Sequence, residues 1–175
     1  MSMMQTHYAS RRQVAHMTRD EYPRSPRNNV VIVSWATKAP NIGSIQRLAE
    51  VFKVEDLYAL RHPATATAVS AGKWQPTTIT WRLREVVEFY KQVGYTVVAL
   101  EQTTESVPME TAVMPERMCL LVGNEGSGLP QSALDLADKA YEITQYGLIG
   151  SLNVATATSI ALYEWSRQHL RDAAA

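Results

Sequence analysis

Five polar residues stand where apolar runs give way to loops and new helices begin: Asn41, Arg47, Glu125, Ser151 and Asn153. A guanidinium, a carboxylate, a hydroxyl and two amides can hold a phosphate, orient a hydroxyl and steer a proton. They do not fit the commoner catalytic schemes. A Ser-His-Asp triad needs a histidine beside its serine, and Ser151 has no candidate. His7, His16, His62 and His169 are scattered, and no His, Cys, Asp or Glu group has ligand spacing, so no metal is expected. Each polar residue also has a plainer reading. Asn41, Ser151 and Asn153 could simply cap helices, Arg47 could be a surface charge, and Glu125 could fold back on loop amides.

The elements that must position these residues are most distinctive between positions 118 and 155. An apolar run, Met118, Cys119, Leu120, Leu121 and Val122, breaks into a loop carrying Gly123, Gly126 and Gly128. Pro130 stands where a first helical residue is expected. A strand ending in a glycine-rich loop at a helix start is how open α/β sheets build a ligand crevice. The loop lacks the Lys-Ser/Thr ending of a P-loop. It also comes too late in the chain for the dinucleotide fingerprint, which follows an early strand. By itself it could equally be a tight turn. The segment with Gly150, Ser151 and Asn153 repeats the pattern ahead of an apolar-periodic helix, which predicts one pocket shared by two loops.

Earlier segments supply the rest of an alternating pattern. Residues 30–33 form a short β-branched run that reads as a buried strand. Asn41, after Pro40, is expected to cap a helix over 42–51, with Ile45, Leu48, Ala49 and Phe52 on its core face and Arg47 pointing outward. A strand over 56–60 follows, then a weakly helical segment over 64–71 and a short strand over 77–80. Leu83, Val86, Val87 and Tyr90 mark the clearest helix, stopped by Gly94. Residues 95–100 form an apolar strand, 104–116 are irregular, and 117–122 and 139–143 read as further strands. A final helix runs from Asn153 to about residue 171, with more apolar surface (Ile160, Leu162, Tyr163, Trp165) than one core contact needs. Strands alternating with helices predict an α/β fold with a mostly parallel sheet flanked by helices.

The chain has 175 residues, enough for one domain with a substantial core. It is expected to divide into a basic arm, 1–28, and a domain, 29–175. Seventeen basic residues balance seventeen acidic ones, yet Arg11, Arg12, Arg19, Arg24 and Arg27 meet only Asp20 and Glu21 in the arm. Such an arm can contact phosphates or be a solvated tail. No apolar run approaches the ~20 residues that span a bilayer. A single cysteine, Cys119, excludes an intrachain disulfide and reads as a buried small hydrophobe. A first segment without a signal-peptide core adds to the expectation of a cytoplasmic protein with no membrane partner.

Three stretches taken together carry a resemblance. Asn41-Ile-Gly-Ser-Ile-Gln-Arg47, Val122-Gly-Asn-Glu-Gly-Ser-Gly-Leu-Pro130 and Ile149-Gly-Ser-Leu-Asn-Val-Ala155 closely resemble the three ordered motifs of the SpoU/TrmH family. These are S-adenosylmethionine-dependent RNA 2′-O-ribose methyltransferases of the SPOUT class. Ser70-Ala71 with Trp74, Gly94-Tyr95, Glu101-Gln102-Thr103 and Gly123-Asn124-Glu125 look like the catalytic domain of tRNA guanosine-18 methyltransferases. The resemblance implies a C-terminal deep trefoil knot, which periodicity could not have indicated, and an obligate homodimer that completes the active site across its interface.

The family pattern also implies roles. Arg47 matches the catalytic arginine, with Asn41, Glu125, Ser151 and Asn153 as its polar support. Gly123, Ile143 and Leu152 match positions whose backbone binds S-adenosylmethionine; Ile149 lies in the same motif, and Leu100 and Glu101 line the adenosine pocket. The implied substrate is RNA, with tRNA favoured; its choice is expected to come from the arm, the last helix or the dimer surface. A ribose hydroxyl needs a base, and a guanidinium keeps its proton to pH ~12. Arg47 is therefore expected to hold the target phosphate and orient the hydroxyl, with the phosphate or a transiently deprotonated Arg47 taking the proton. Two alternatives are a non-catalytic RNA-binding module with the same knot and an unrelated flavodoxin-like nucleotide-binding protein.

Overall fold

The computed structural model describes residues 26–63, 65 and 75–170. The expected arm apart from residues 26–28, and the weakly helical segment over 64–71 apart from Thr65, lie outside the described residues, as do Trp74 and the last residues after 170. In chain order the elements are β1 (Asn28–Ser34), α1 (Ala39–Val51), β2 (Val54–Leu60), β3 (Thr77–Thr80), α2 (Leu83–Gln92), β4 (Thr96–Leu100), β5 (Val107–Pro108), a 3-10 turn (Met109–Thr111), β6 (Met118–Val122), α3 (Gln131–Leu134), β7 (Lys139–Glu142) and α4 (Val154–His169).

Among the described residues seven strands make one sheet in the order β3-β2-β1-β6-β4-β7-β5, and every pairing is parallel. Parallel strands are covered on both faces, which is why β1, β4 and β6 read as continuous apolar runs rather than alternating ones. Val30 and Ile32 of β1, with Met118, Leu120 and Val122 of β6, face α1 and α4, where Ile42, Ile45, Ala49, Leu162 and Trp165 complete one core. Val31, Val33, Cys119 and Leu121 face the other way, onto Leu83, Val87 and Tyr90 of α2 and Ala133 of α3. Burial pushes the Cys119 thiol up to about 12, with nearby Asp138 adding to the shift, so it behaves as the apolar filler its setting suggested.

Two helices illustrate how local sequence set the ends. Gly94 takes φ +88°, and the Tyr95 and Gly94 amides reach back to the Tyr90 and Lys91 carbonyls at 2.9 and 3.2 Å. This Schellman closure of α2 confirms the stop expected at Gly94. Helix α1 begins three residues earlier than expected, with Lys38 at its N-cap and Pro40 in the first turn. Asn41 is therefore not the cap; it lies inside the first turn, buried. The reason is Pro40, whose fixed φ suits a first helical turn and carries the helix start upstream.

Smaller differences have similar causes. The stretch 104–116 is not wholly irregular: β5 adds a two-residue edge strand beside β7, and the 3-10 turn follows it. Pro130 caps α3 rather than opening it. Tyrosines fix α2 and β4 to β2, with the Tyr90 hydroxyl donating to Asp56 at 2.5 Å and the Tyr95 hydroxyl donating to Glu55. The Arg117 guanidinium lies 4.4 Å from the centre of the Tyr95 ring. Burial, reinforced by Glu55 and opposed by Arg117, raises the Tyr95 hydroxyl to about 12.

Candidate active site

Register places the site. Ser34 pairs with Val122, Val122 with Leu100, and Leu100 with Tyr141, so β1, β6, β4 and β7 end side by side. Strand order reverses here, since β6 lies between β1 and β4 although it follows both in the chain. Loops leaving such a point diverge and open a crevice. The crevice is a cavity of about 590 Å³ lined by residues from all four exits, a size typical of small-molecule sites.

The glycine loop forms its floor. Asn124 and Gly128 exchange two backbone hydrogen bonds, 2.9 and 3.0 Å, closing the turn between them. Gly123 packs so closely on the return strand that an added Cβ would lie 2.5 Å from the Gly128 carbonyl carbon and 2.7 Å from the Leu129 nitrogen. Gly128 has φ +67°, and a Cβ there would meet a Glu101 carboxylate oxygen at 2.4 Å. That carboxylate accepts the Leu129 amide at 3.0 Å and the Gln102 amide at 3.0 Å. Glu101, expected to line the adenosine pocket, does line the cavity and also fastens the glycine loop to the end of β4.

Glu125 projects from the loop to the start of α1. Its carboxylate accepts the Thr37 amide (3.2 Å), the Lys38 amide (3.0 Å), the Thr37 hydroxyl (3.4 Å) and Asn41 Nδ2 (2.7 Å). It reaches its own loop amide, as the sequence allowed, and beyond it occupies the electropositive N-terminus of α1, where unsatisfied amides favour an anion. Burial works against its ionisation. The bonds from Asn41, its own amide, Lys38 and Thr37 outweigh that and hold the carboxyl below its ordinary range. Asn41 then accepts Asn153 Nδ2 on its Oδ1 at 2.9 Å. Asn153 in turn caps α4, its Oδ1 accepting the Ala155 and Thr156 amides at 2.9 and 3.2 Å. A relay from Glu125 through Asn41 to Asn153 thus ties together the three sequence stretches.

Of the residues singled out from sequence, Asn41, Leu100, Glu101, Gly123, Glu125, Ile143, Ser151, Leu152 and Asn153 all line the cavity. Ile149 does not; it is 78% exposed on the loop before Gly150. Arg47 also stands apart. It is exposed on the outer face of α1 with Pro40, Ser44 and Val51, as the helix spacing required, and it does not line this cavity. Gln102, Asn124, Tyr141 and Gln145 line the cavity as well and were not singled out individually. Asn124 holds the loop to the exit of β1 through Thr37 Oγ1 at 3.0 Å. The available signal was position: Gln102 and Tyr141 lie at carboxyl ends of parallel strands. Among the described residues no group of three or more His, Cys, Asp or Glu is arranged to hold a metal.

This geometry coincides with a family signature, because the model of the SpoU rRNA Methylase family matches residues 28–163. The chain belongs to that family. It is 34% identical to the tRNA (guanosine(18)-2′-O)-methyltransferase of Saccharomyces cerevisiae over 151 residues, 81% of this chain and 10% of that protein. The chain thus spans about a tenth of the length of the first curated relatives it matches. Among solved structures, the A. aeolicus TrmH/SpoU tRNA modifying enzyme superposes with a TM-score of 0.74 at 26% identity, covering 84% of this chain and 78% of the other. An AdoMet-bound rRNA methyltransferase from Sinorhizobium meliloti gives 0.69 at 25% identity, covering 85% and 60%.

Proposed function

We propose that this chain is the catalytic domain of an S-adenosylmethionine-dependent RNA 2′-O-ribose methyltransferase that acts on tRNA, with guanosine 18 of the D-loop as the favoured target. One observation carries the reading: the Glu125–Asn41–Asn153 relay brings all three family stretches to the rim of one cavity. The name of the S. cerevisiae relative supports the choice of tRNA and of that nucleotide. Another tRNA or rRNA ribose is the nearest alternative.

The cavity fits the cofactor's chemistry. Leu100, Tyr141, Ile143 and Leu152 offer apolar surface for an adenine, while Glu101, Glu125 and Glu142 supply negative charge for a cationic ligand. Gly123 packs directly on the Gly128–Leu129 backbone, where no side chain would fit, and lines the cavity. When bound, S-adenosylmethionine supplies an electrophilic methyl group. The protein's part is to position the ribose hydroxyl and take away its proton. Ser151 and Asn153 fix the ribose or the cofactor carboxylate, and Ile149 of the same motif joins in holding the cofactor. Arg47 binds the target phosphate and orients the 2′-hydroxyl, and a phosphate oxygen, or Arg47 transiently deprotonated, accepts the proton.

Arg47 lies away from its own chain's cavity, so we assign it to the cavity of a second copy in an obligate homodimer. Exposed apolar residues support such a partner: Val51 on α1, and Ile160 and Tyr163 on α4. The C-terminal trefoil knot belongs to the same reading and is supported by the position of β6 between β1 and β4 and by the TrmH/SpoU neighbour. We assign residues 1–28 as a basic arm whose last residue, Asn28, already opens β1, 29–175 as the methyltransferase domain, and the cytoplasm as its place.

The test is methyl transfer from labelled S-adenosylmethionine to unmodified total tRNA, followed by mapping of the modified ribose. Label at the D-loop guanosine supports the full reading. Label elsewhere keeps the reaction and changes the target, and no label on tRNA despite cofactor binding sends the search to rRNA or to a module that binds RNA without modifying it.

A further inference from the structure

The same carboxyl edge of the sheet carries a second surface, away from the cavity. Thr80 ends β3 opposite Leu60 of β2. The ladder continues one step further, because the Arg61 amide donates to the Thr80 carbonyl at 2.9 Å. The Arg82 amide donates to Thr80 Oγ1 at 3.0 Å, which fixes the turn into α2. Between these anchors Trp81 stands 68% exposed, flanked by exposed Arg61 and Arg82. Among the described residues, no ring stacks on Trp81 and no carboxylate forms an ion pair with either arginine.

An exposed indole next to a Thr80 that is tied to both neighbouring arginine amides, between two guanidiniums unpaired among the described residues, suits a flat, anionic partner. Every nucleobase has a face that stacks on an indole, and guanidiniums bind the phosphates beside it. Position agrees. Neighbouring strands lie ~4.8 Å apart, and β3 is three strands from β6, so the patch sits roughly 10–15 Å along the edge from the glycine loop. A few unstacked nucleotides cover that distance.

We propose that Trp81, Arg61 and Arg82 form an RNA-docking platform that stacks an unpaired base next to the nucleotide presented to the cavity. The proposal rests on the RNA-methyltransferase reading and extends it to a surface that reads the substrate away from the reacting ribose. Phe89, exposed one face along α2, is already packed edge-on against Tyr90 at 5.2 Å and is not part of it.

The test measures binding of an unmodified tRNA transcript to the full chain, to Trp81→Ala and to the pair Arg61→Gln/Arg82→Gln, across a salt series. Binding of S-adenosylmethionine by calorimetry serves as the control for folding. Trp81→Ala is expected to raise the RNA Kd roughly ten-fold. The arginine pair should flatten the slope of log K against log salt by roughly 0.7 for each phosphate that is no longer neutralised. Cofactor affinity should stay unchanged, and in turnover the loss should fall on KM for RNA rather than on kcat. RNA binding that is unchanged in both affinity and salt slope overturns the platform even if methyl transfer is robust, and so does a wild-type chain that binds no RNA. Weaker RNA binding by the variants in a chain that transfers no methyl group supports the platform while the enzymatic reading fails. Variants that lose only a protein partner, with RNA binding intact, reassign the surface to that protein.

Discussion

Asn153 Nδ2 donates to Asn41 Oδ1 at 2.9 Å, joining residues 112 positions apart. The amide of Asn153 does two things at once: its oxygen caps α4 and its nitrogen reaches the first turn of α1. A capping residue and a site residue are usually alternative explanations, and here one side chain is both.

Loss of either end should therefore cost more than a surface hydrogen bond. Asn153→Ala removes a two-amide cap and is expected to destabilise the fold by about 1–2 kcal/mol. Asn41→Ala, at a buried position between two partners, should cost a similar amount. A double-mutant cycle by urea denaturation should return a coupling of ~0.5–1.5 kcal/mol. Strict additivity would show that the two asparagines act separately.

The glycines of the loop should divide by position. Gly123→Ala forces a Cβ into backbone at 2.5 Å, and backbone has no rotamer to yield. Cofactor affinity measured by calorimetry should fall by at least ten-fold, with a loss of stability of roughly 2 kcal/mol or more. At Gly126 an added Cβ would meet nothing closer than Asn124 Oδ1 at 3.6 Å, an ordinary contact. Gly126→Ala should bind cofactor as the parent does, and an equal loss in both variants would remove close packing as the reason.

Glu125 should leave an acid signature. Its folded pKa is held below the ordinary carboxylate value of ~4.3, so it adds stability above that pH and loses the contribution as pH falls through the folded pKa. Glu125→Gln should thus be less stable than the parent at pH 7, with the gap closing below pH ~4. Thermal midpoints measured from pH 7 to pH 3 would show it. A gap that stays constant over that range would mean that the charge is not what holds the loop to α1.

Arg47 should matter to transfer and not to cofactor binding. Arg47→Ala is expected to slow methyl transfer at least 100-fold, a typical loss for a transition-state contact, with the S-adenosylmethionine Kd unchanged. Its exposed position on α1 predicts almost no change in unfolding midpoint. Full activity in the variant would exclude the role.

How much of this could be read from the chain depended on the kind of signal. Strands β1, β4 and β6 were plain because both their faces are covered, which makes them apolar throughout. The two-residue β5 was not, since a proline-bearing edge strand has no period to detect. Strand order was out of reach of local pattern altogether. At the site, residue types and loop positions were enough to gather Asn41, Glu125, Ser151 and Asn153, but not to say how they interact. The start of α1 was misplaced because Asn41 is a good cap on its own and Pro40 argued for an earlier start. Glu125 was open to a local explanation, which its own amide meets in part, and only the packing of α1 against the loop shows that Thr37, Lys38 and Asn41 are partners too.

The central strand has a consequence for how the molecule comes into being. β6 is wedged between two strands that both precede it in the chain, β1 by a long stretch and β4 by a short one. Until it is inserted, β1 and β4 each offer an open edge, the form of exposed backbone most prone to pairing with other chains. Closing the long loop from β1 comes before the contacts that reward it, so folding should be slow and dominated by non-local pairing. A ribosome would have to release most of the chain before the sheet's middle could close. The early segments would then depend on slow self-association, or on chaperones, to stay productive.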